Sequence, residues 1–228
     1  MTSAFDRVLD GIGTAVVTGA FAPGSRRSTD DLVAWSGASR SIVREAVRVL
    51  VALGMLRARP RVGVVVAHPT EWDLLDPRVV RWRLQGPDGE RASAELRELR
   101  AAVEPAAAAA AARRAPLEDC APGREALLAT ADDLASAAAE DRRLDFTIAD
   151  VRLHALVLEL SGNALYRRLH RVVGEALRER GSIRPGRHDV GLHVALAQAV
   201  VGGRSDEAAD VMREIVRRTE HRPGADLG

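Results

Sequence analysis

Residues 28–53 read STDDLVAWSGASRSIVREAVRVLVAL, and the second half of this stretch decides the fold. Arg40, Arg44 and Arg48 recur every four positions. Around a helix they drift by only about 40° per step and so form one stripe. The other face, Ile42 or Val43, Ala46, Val49 or Leu50, and Leu53, is apolar at helical spacing and requires a core. A helix that is apolar on one side and lined with guanidinium on the other suits the groove of a nucleic acid. The alternative is a solvated face on which Arg44 and Arg48 pair with Glu45 and its neighbours.

Working outward, Ser28 or Thr29 is placed to cap a short helix, with Asp30 and Asp31 in its first turn. Ser36-Gly37 ends that helix, because glycine accepts the left-handed backbone that turns the chain sharply. Ser39 caps the arginine-striped helix, which stops at Gly54. Upstream, Phe5, Val8, Leu9, Ile12 and Val16 predict a helix over residues 3–18, followed by a Pro23-Gly24 turn. Downstream the period changes: Leu56 to Arg59 and Val62 to Val66 read as two strands around a Pro60-Arg61 tip. Three helices and a basic hairpin make a winged helix-turn-helix, whose wing carries Arg59 and Arg61 toward phosphate or a minor groove.

Composition agrees with one nucleic-acid module and one of another kind. Residues 1–69 hold nine Arg against five Asp or Glu, a net of +4, and the remainder of the 228-residue chain is −3. All 33 basic residues are Arg, which a GC-rich coding bias explains without appeal to function. An aromatic content of 3% with abundant alanine favours helices over a β sandwich. The single Cys120 excludes an intrachain disulfide and suits a reducing cytoplasm as a small buried residue. The first residues show no basic segment followed by an apolar run, so no signal peptide is expected. The Ala-rich run at 106–112 is too short to span a bilayer, and no membrane partner is expected.

The segment from Pro23-Gly24-Ser25 through Ser39-Arg40-Ser41-Ile42-Val43-Arg44-Glu45-Ala46-Val47, with Leu50 and Gly54, resembles the DNA-binding domain of the GntR family of bacterial repressors. The resemblance implies DNA-facing positions at Ser39, Arg40, Ser41, Arg44 and Arg48, with Arg40 and Arg44 reading bases or phosphates and Arg48 touching the backbone. An arginine pairs with guanine in bidentate fashion. The chain departs from the family in one loop, where Arg26-Arg27-Ser28-Thr29 stands for a Leu-Pro-Ser-Glu-like run and is one residue shorter. The connector Trp72-Asp73-Leu74-Leu75-Asp76-Pro77-Arg78-Val79-Val80-Arg81-Trp82 resembles a linker of family members that respond to sugar acids. A helix break is expected near Asp76, and Gly86-Pro87-Asp88-Gly89 marks a boundary.

From Glu90 onward only helical patterning appears, over 90–114, 118–140, 143–161, 164–180, 188–202 and 205–220, which predicts an all-α bundle of six or seven helices. The expected organisation is a winged helix-turn-helix at 1–69, a linker at 70–89 and a helical effector and dimerisation domain at 90–228. A winged helix followed by such a bundle resembles the FadR-like branch of the family with its FCD effector domain.

Within the bundle, Asp150 and His154 stand four apart on one helix face and can reach one metal ion, and His193 opens a later apolar helix. These three match the first three positions of the FCD metal pattern. Ile215 occupies the usual fourth, and neither His188 nor His221 replaces it. One carboxylate and two imidazoles suit Zn, Ni or Mn; the alternative is a hydrogen-bonded polar cluster without metal. The resemblance also makes Arg100 the partner of an effector carboxylate, with Glu104 beside it. The bland reading there is an Arg100–Glu104 surface pair. Asn163, a further effector candidate, sits in a Ser161-Gly162-Asn163 turn where capping is the competing role.

These readings converge on a cytoplasmic, homodimeric repressor of a palindromic DNA operator, modulated by a small organic acid such as a sugar acid. A helical metal-dependent enzyme and an architectural DNA-binding protein without an effector are the alternatives. No nucleophile or general base stands beside Asp150, His154 and His193, so no enzyme activity is expected.

Overall fold

The computed structural model describes residues 3–59, 63–179 and 187–218. The chain divides into two compact units, Met1–Ala92 and Ser93–Gly228.

The first unit follows the predicted capping chemistry. Helix α1 (Ala4–Val17) is capped by Ser3, α2 spans Thr29–Ser36 and α3 spans Arg40–Ala52. Ser28 closes a capping box on α2: its Oγ accepts from the Asp31 amide at 3.0 Å, and the Asp31 carboxylate accepts from the Ser28 amide at 2.8 Å. Gly37 ends α2 with a φ of 65°, the left-handed backbone its lack of Cβ permits. Strands β2 (Leu56–Arg59) and β3 (Gly63–Val66) form the hairpin; its tip, with Arg61, lies outside the described residues. A strand that sequence reading did not anticipate, β1 (Arg26–Arg27), pairs antiparallel with β3, giving a sheet of order β1-β3-β2. Two residues are too short for any periodicity to announce; only the β3 partner reveals them.

Val43, Ala46, Leu50 and Leu53 of the apolar face are buried with Ile12, Leu32, Met55, Leu56 and Val66 in one core. The stretch expected as a linker contributes to that same core. Helix α4 (Pro77–Leu84), capped by Asp76 with Pro77 in its first turn, seats Trp82 on α1. A Cβ at Gly13 would fall 2.7 Å from the Trp82 indole, so glycine allows this approach. Asp10 of α1 accepts from Arg81 Nη2 at 2.7 Å and from Trp82 Nε1 at 3.0 Å.

The second unit is all helical among the described residues: α5 (Gly89–Arg114, whose first turn lies in the first unit), α6 (Ala121–Ala139), α7 (Arg143–Leu160), α8 (Ala164–Arg168), α9 (His170–Glu179), α10 (Arg187–Val201) and α11 (Ser205–Arg218). Two predicted helices are subdivided. Pro122 sits in the first turn of α6, so 118–120 forms a separate 3-10 turn. The span expected as 164–180 breaks at Leu169, whose amide bonds to the Tyr166 carbonyl at 3.0 Å and tightens the end of α8 before α9 restarts. Helix α7 packs between α6 and α9, and α10 between α6 and α11. Ala108, Ala111 and Ala112 of α5 are buried with Leu127, Leu134, Leu153, Val157, Leu196 and Met212. Cys120 is buried and free. No described helix is long and apolar enough to cross a membrane.

Candidate functional site

Two surfaces of different character emerge. In the first unit, α3 presents Arg40, Arg44 and Arg48 to solvent, along with Ser41. Ser39 caps the helix, its Oγ accepting from the Ile42 amide at 3.5 Å and lying 3.1 Å from Ser41 Oγ. Arg40 forms an ion pair with Asp30, and Arg48 pairs with Glu45 at 2.7 Å. Both pairs are exposed, so they are weak and exchange readily for other anions. Arg44 has no such partner among the described residues. Arg59 is exposed on β2. The stripe is thus assembled by the local sequence of one helix.

The second surface is buried, and only the packing of three helices creates it. Arg100 and Glu104 of α5, expected as a surface pair on the bland reading, are each 1% exposed. They are joined by an Arg100 Nε to Glu104 Oε2 hydrogen bond of 3.0 Å. The other Glu104 oxygen accepts from His154 Nδ1 of α7 at 2.9 Å. His154 Nε2 then faces Asp150 Oδ1 at 3.5 Å, and His193 Nε2 of α10 lies 3.0 Å from the same oxygen. His193 Nδ1 donates to the Asp189 carbonyl at 2.6 Å. A polar chain therefore runs Arg100–Glu104–His154–Asp150–His193.

The tautomers follow from chemistry. A carboxylate and a carbonyl only accept, so the Nδ1 of each histidine carries a proton. In a neutral ring each Nε2 is a lone pair, and both lone pairs face a carboxylate oxygen. That arrangement repels unless a positive centre sits among them. Among the described residues, Asp150 Oδ1 and His154 Nε2 are buried without a hydrogen-bond partner, which marks the same deficit. A divalent cation would supply it: the three ligand atoms lie within 4.8 Å of one another. Bonds of about 2.0–2.1 Å in tetrahedral geometry separate ligand atoms by roughly 3.3 Å, between the 3.0 and 3.5 Å separations seen here. Glu104 and the Asp189 carbonyl accept from the two Nδ1–H groups and so hold each ring with its Nε2 turned toward Asp150. Ile215 is buried in the apolar core and offers no ligand.

Without a metal, protons take that place. Burial works against ionisation throughout, yet the His154 and Glu104 charges reinforce each other. Glu104 stays below its usual range despite burial because of the Arg100 and His154 charges, and Asp150 stays well below because both histidines bond to it. For His154 burial is outweighed by the Glu104 charge and by hydrogen bonds to Asp150 and Glu104, raising its pKa from 6.5 to about 9. A histidine raised in the folded state stabilises fully below its unfolded pKa and loses that contribution as pH climbs through its folded pKa. Chelator-treated protein is therefore expected to lose melting temperature between about pH 7 and pH 9.5, and His154→Gln to remove most of that trend. A flat profile for the unsubstituted protein would contradict the charged His154.

Arg100 also retains a buried guanidinium nitrogen, Nη2, with no hydrogen-bond partner among the described residues. Such a group calls for an acceptor, and a carboxylate matches it. The structure does not bring Asn163 into this chain of contacts. Its Oδ1 caps α8, accepting from the Leu165 and Tyr166 amides at 2.9 and 3.5 Å, and it is exposed. His188 and His221 lie outside the residues whose side chains are described. The role of Glu104 as the tie between Arg100 and His154 escaped sequence reading, because fifty positions separate it from His154. The only hint was its place four residues after Arg100.

Comparison with known proteins bears on both surfaces. Residues 5–66 match the family described as "Bacterial regulatory proteins, gntR family", and residues 95–218 match the FCD domain. The galactonate operon transcriptional repressor of Escherichia coli K12 is 33% identical over 165 residues, covering 72% of this chain and 69% of that protein. The uncharacterized HTH-type transcriptional regulator YieP of the same organism is 25% identical over 188 residues, covering 79% and 78%. Among solved structures, Streptococcus agalactiae GntR superposes with a TM-score of 0.54 at 19% identity, covering 94% of this chain and 98% of that one. Lar of Listeria monocytogenes gives 0.57 at 15% identity, covering 96% and 95%.

Proposed function

The chain belongs to the GntR family of bacterial transcriptional regulators, with an FCD domain behind its winged helix, and from that premise we propose that it is a repressor released from DNA by a small sugar acid. A homodimer would place the α3 helix of each protomer in the major groove of one half of a palindromic operator, in the bacterial cytoplasm. Arg44 and Arg40 would contact bases or phosphates, and Ser39, Ser41, Arg48, Arg59 and Arg61 the surrounding backbone. In the second unit Asp150, His154 and His193 would hold one divalent ion, Zn, Ni or Mn, with open positions where a fourth protein ligand is lacking. When bound, the ion supplies positive charge and a coordination site for an anionic oxygen. Arg100 would take the effector carboxylate, and Glu104 would hold Arg100 and His154 in place.

The observation that carries this reading is the buried chain with its three unpartnered polar atoms, Arg100 Nη2, Asp150 Oδ1 and His154 Nε2. Such groups are costly to leave unsatisfied in a core. Their combination of one guanidinium and one cation-seeking pocket fits an anion with further oxygens. The similarity to a galactonate operon repressor makes aldonates the first class to try. Regulation of this kind requires the ligand to favour one of two domain arrangements.

The test is a melting and DNA-release panel. Galactonate and related aldonates, with Zn, Ni or Mn and with chelator, are added to protein bound to a duplex it has itself selected from a random pool. The expected result is a metal-dependent rise in melting temperature and release of the duplex by at least one aldonate. Absence of both across the panel would favour an architectural DNA-binding protein without an effector. The enzyme reading is not favoured, because the families and relatives that match are transcriptional regulators.

A further inference from the structure

The strand that sequence reading did not anticipate changes the extent of the basic surface. In the sheet, Arg26 of β1 stands opposite Val65 of β3, which stands opposite Arg57 of β2. Val64 and Val66 of β3 and Leu56 of β2 are buried. Side chains alternate along a strand, so Arg26, Val65, Arg57 and Arg59 share the other, solvent-facing side. The three strands contain no acidic residue.

The three arginines on this side differ in what they are bonded to. Arg57 is held by Glu71, its Nε donating to Oε2 at 2.7 Å. Arg26 is exposed, and its guanidinium has no hydrogen-bond or ion-pair partner among the described residues. The neighbouring Arg27 faces the other way, with its guanidinium 4.7 Å from the centre of the Phe21 ring. The position of Arg26 is nonetheless rigid. On its amino side the Val66 amide donates to the Ser25 carbonyl at 3.0 Å, and the Gly24 amide donates to the Val66 carbonyl at 2.8 Å. On its carboxyl side Ser28 is locked into the capping box of α2.

We propose that this side of the sheet is a second contact surface for DNA, in which Arg26 binds a backbone phosphate alongside the α3 stripe. Charge complementarity selects the partner. An unpaired guanidinium on a rigid strand, two strands from Arg59 in a sheet whose strands carry no acid, suits a polyanion, with the one neighbouring carboxylate, Glu71, already taken by Arg57; Val65 between them offers no polar group to read a base. The contact therefore adds affinity and salt dependence rather than sequence discrimination. The proposal rests on the DNA binding that the family implies.

The test measures binding by fluorescence anisotropy between about 50 and 200 mM salt, on a duplex selected by the protein and on a scrambled one. Arg26→Ala is expected to weaken both complexes by a similar factor and to reduce the slope of log Kobs against log salt by about 0.9. Arg26→Lys should keep the slope, and Arg213→Ala on α11, which removes an exposed charge in the second unit, should match the unsubstituted protein. An unchanged slope in Arg26→Ala, or a loss confined to the selected duplex, overturns the phosphate contact. If Arg44→Ala then still abolishes selection, the α3 reading survives alone. No salt-dependent binding by the unsubstituted protein overturns both.

Discussion

Arg44→Ala is expected to weaken binding to a self-selected duplex by about fivefold to 150-fold while leaving binding to scrambled DNA within a few-fold. A bidentate arginine–guanine contact is worth about 1–3 kcal/mol of discrimination, which sets that range. Arg44 is the sharpest probe of the stripe because it stands at its centre and is not engaged by a neighbouring carboxylate among the described residues. Arg40 and Arg48 must first exchange Asp30 and Glu45 for DNA, so their replacement also liberates an acid and confuses the reading. Arg44 is exposed on a helix whose core side is Val43, Ala46 and Leu50, and alanine is the best helix former. Folding is therefore preserved, and an unchanged melting temperature would confirm it. Equal binding of the selected duplex by the variant and the unsubstituted protein would remove Arg44 from the recognition surface.

Arg100→Met is expected to lower the melting temperature of chelator-treated protein by roughly 10 °C or more, and to abolish any stabilisation by an aldonate. Arg100 and Glu104 are a buried ion pair, and removal of Arg100 leaves the Glu104 charge with His154 as its one remaining cationic partner among the described residues. That loss typically costs about 3–5 kcal/mol, and for a unit of this size each kilocalorie moves the transition by several degrees. The methionine fills a similar volume, so the loss measures charge rather than cavity. The control is the double variant Arg100→Met/Glu104→Gln, which removes the half-compensated Glu104 charge and should recover part of the stability above pH 9, where His154 no longer needs that partner. It should not recover the aldonate response. A response that persisted in the double variant would take the effector carboxylate away from Arg100.

These two expectations differ in how far the sequence had already reached them. The arginine stripe, its apolar back, the Ser28 and Ser39 caps and the Gly37 turn were all legible, because each is a relation among residues within one turn or two of helix. The hairpin was legible for the same reason: Leu56 to Val66 changes period locally. The connector was less so. Trp72, Val79 and Trp82 belong to the first unit's core, but their apolar character says only that they are buried somewhere. For Trp82 the partner that decides where is Gly13 with Asp10, some seventy positions away.

In the second unit the Asp150–His154 spacing pointed to a shared target, yet the same spacing occurs on solvated helix faces. Burial is what separates the two cases, and burial is a property of neighbours. Arg100 and Glu104 illustrate the point, since an i, i+4 pair on a surface and the same pair in a core have identical sequences. The break at Leu169 and the 3-10 turn before α6 show the opposite limit, where apolar periodicity runs on through a local change in backbone that it does not detect.

The sequence by itself determined which helix carries the cationic stripe and which side of it is a core, because helical period and capping are short-range physics. Only the tertiary structure decided the rest. It brought Glu104, His154, Asp150 and His193 from three helices into one buried chain. It also paired Arg26 with β3 and thereby placed it on the same side of the sheet as Arg57 and Arg59. Both are outcomes of long-range pairing: which buried polar atoms are left without a partner, and which charges share a face, depend on contacts between segments that no local pattern encodes.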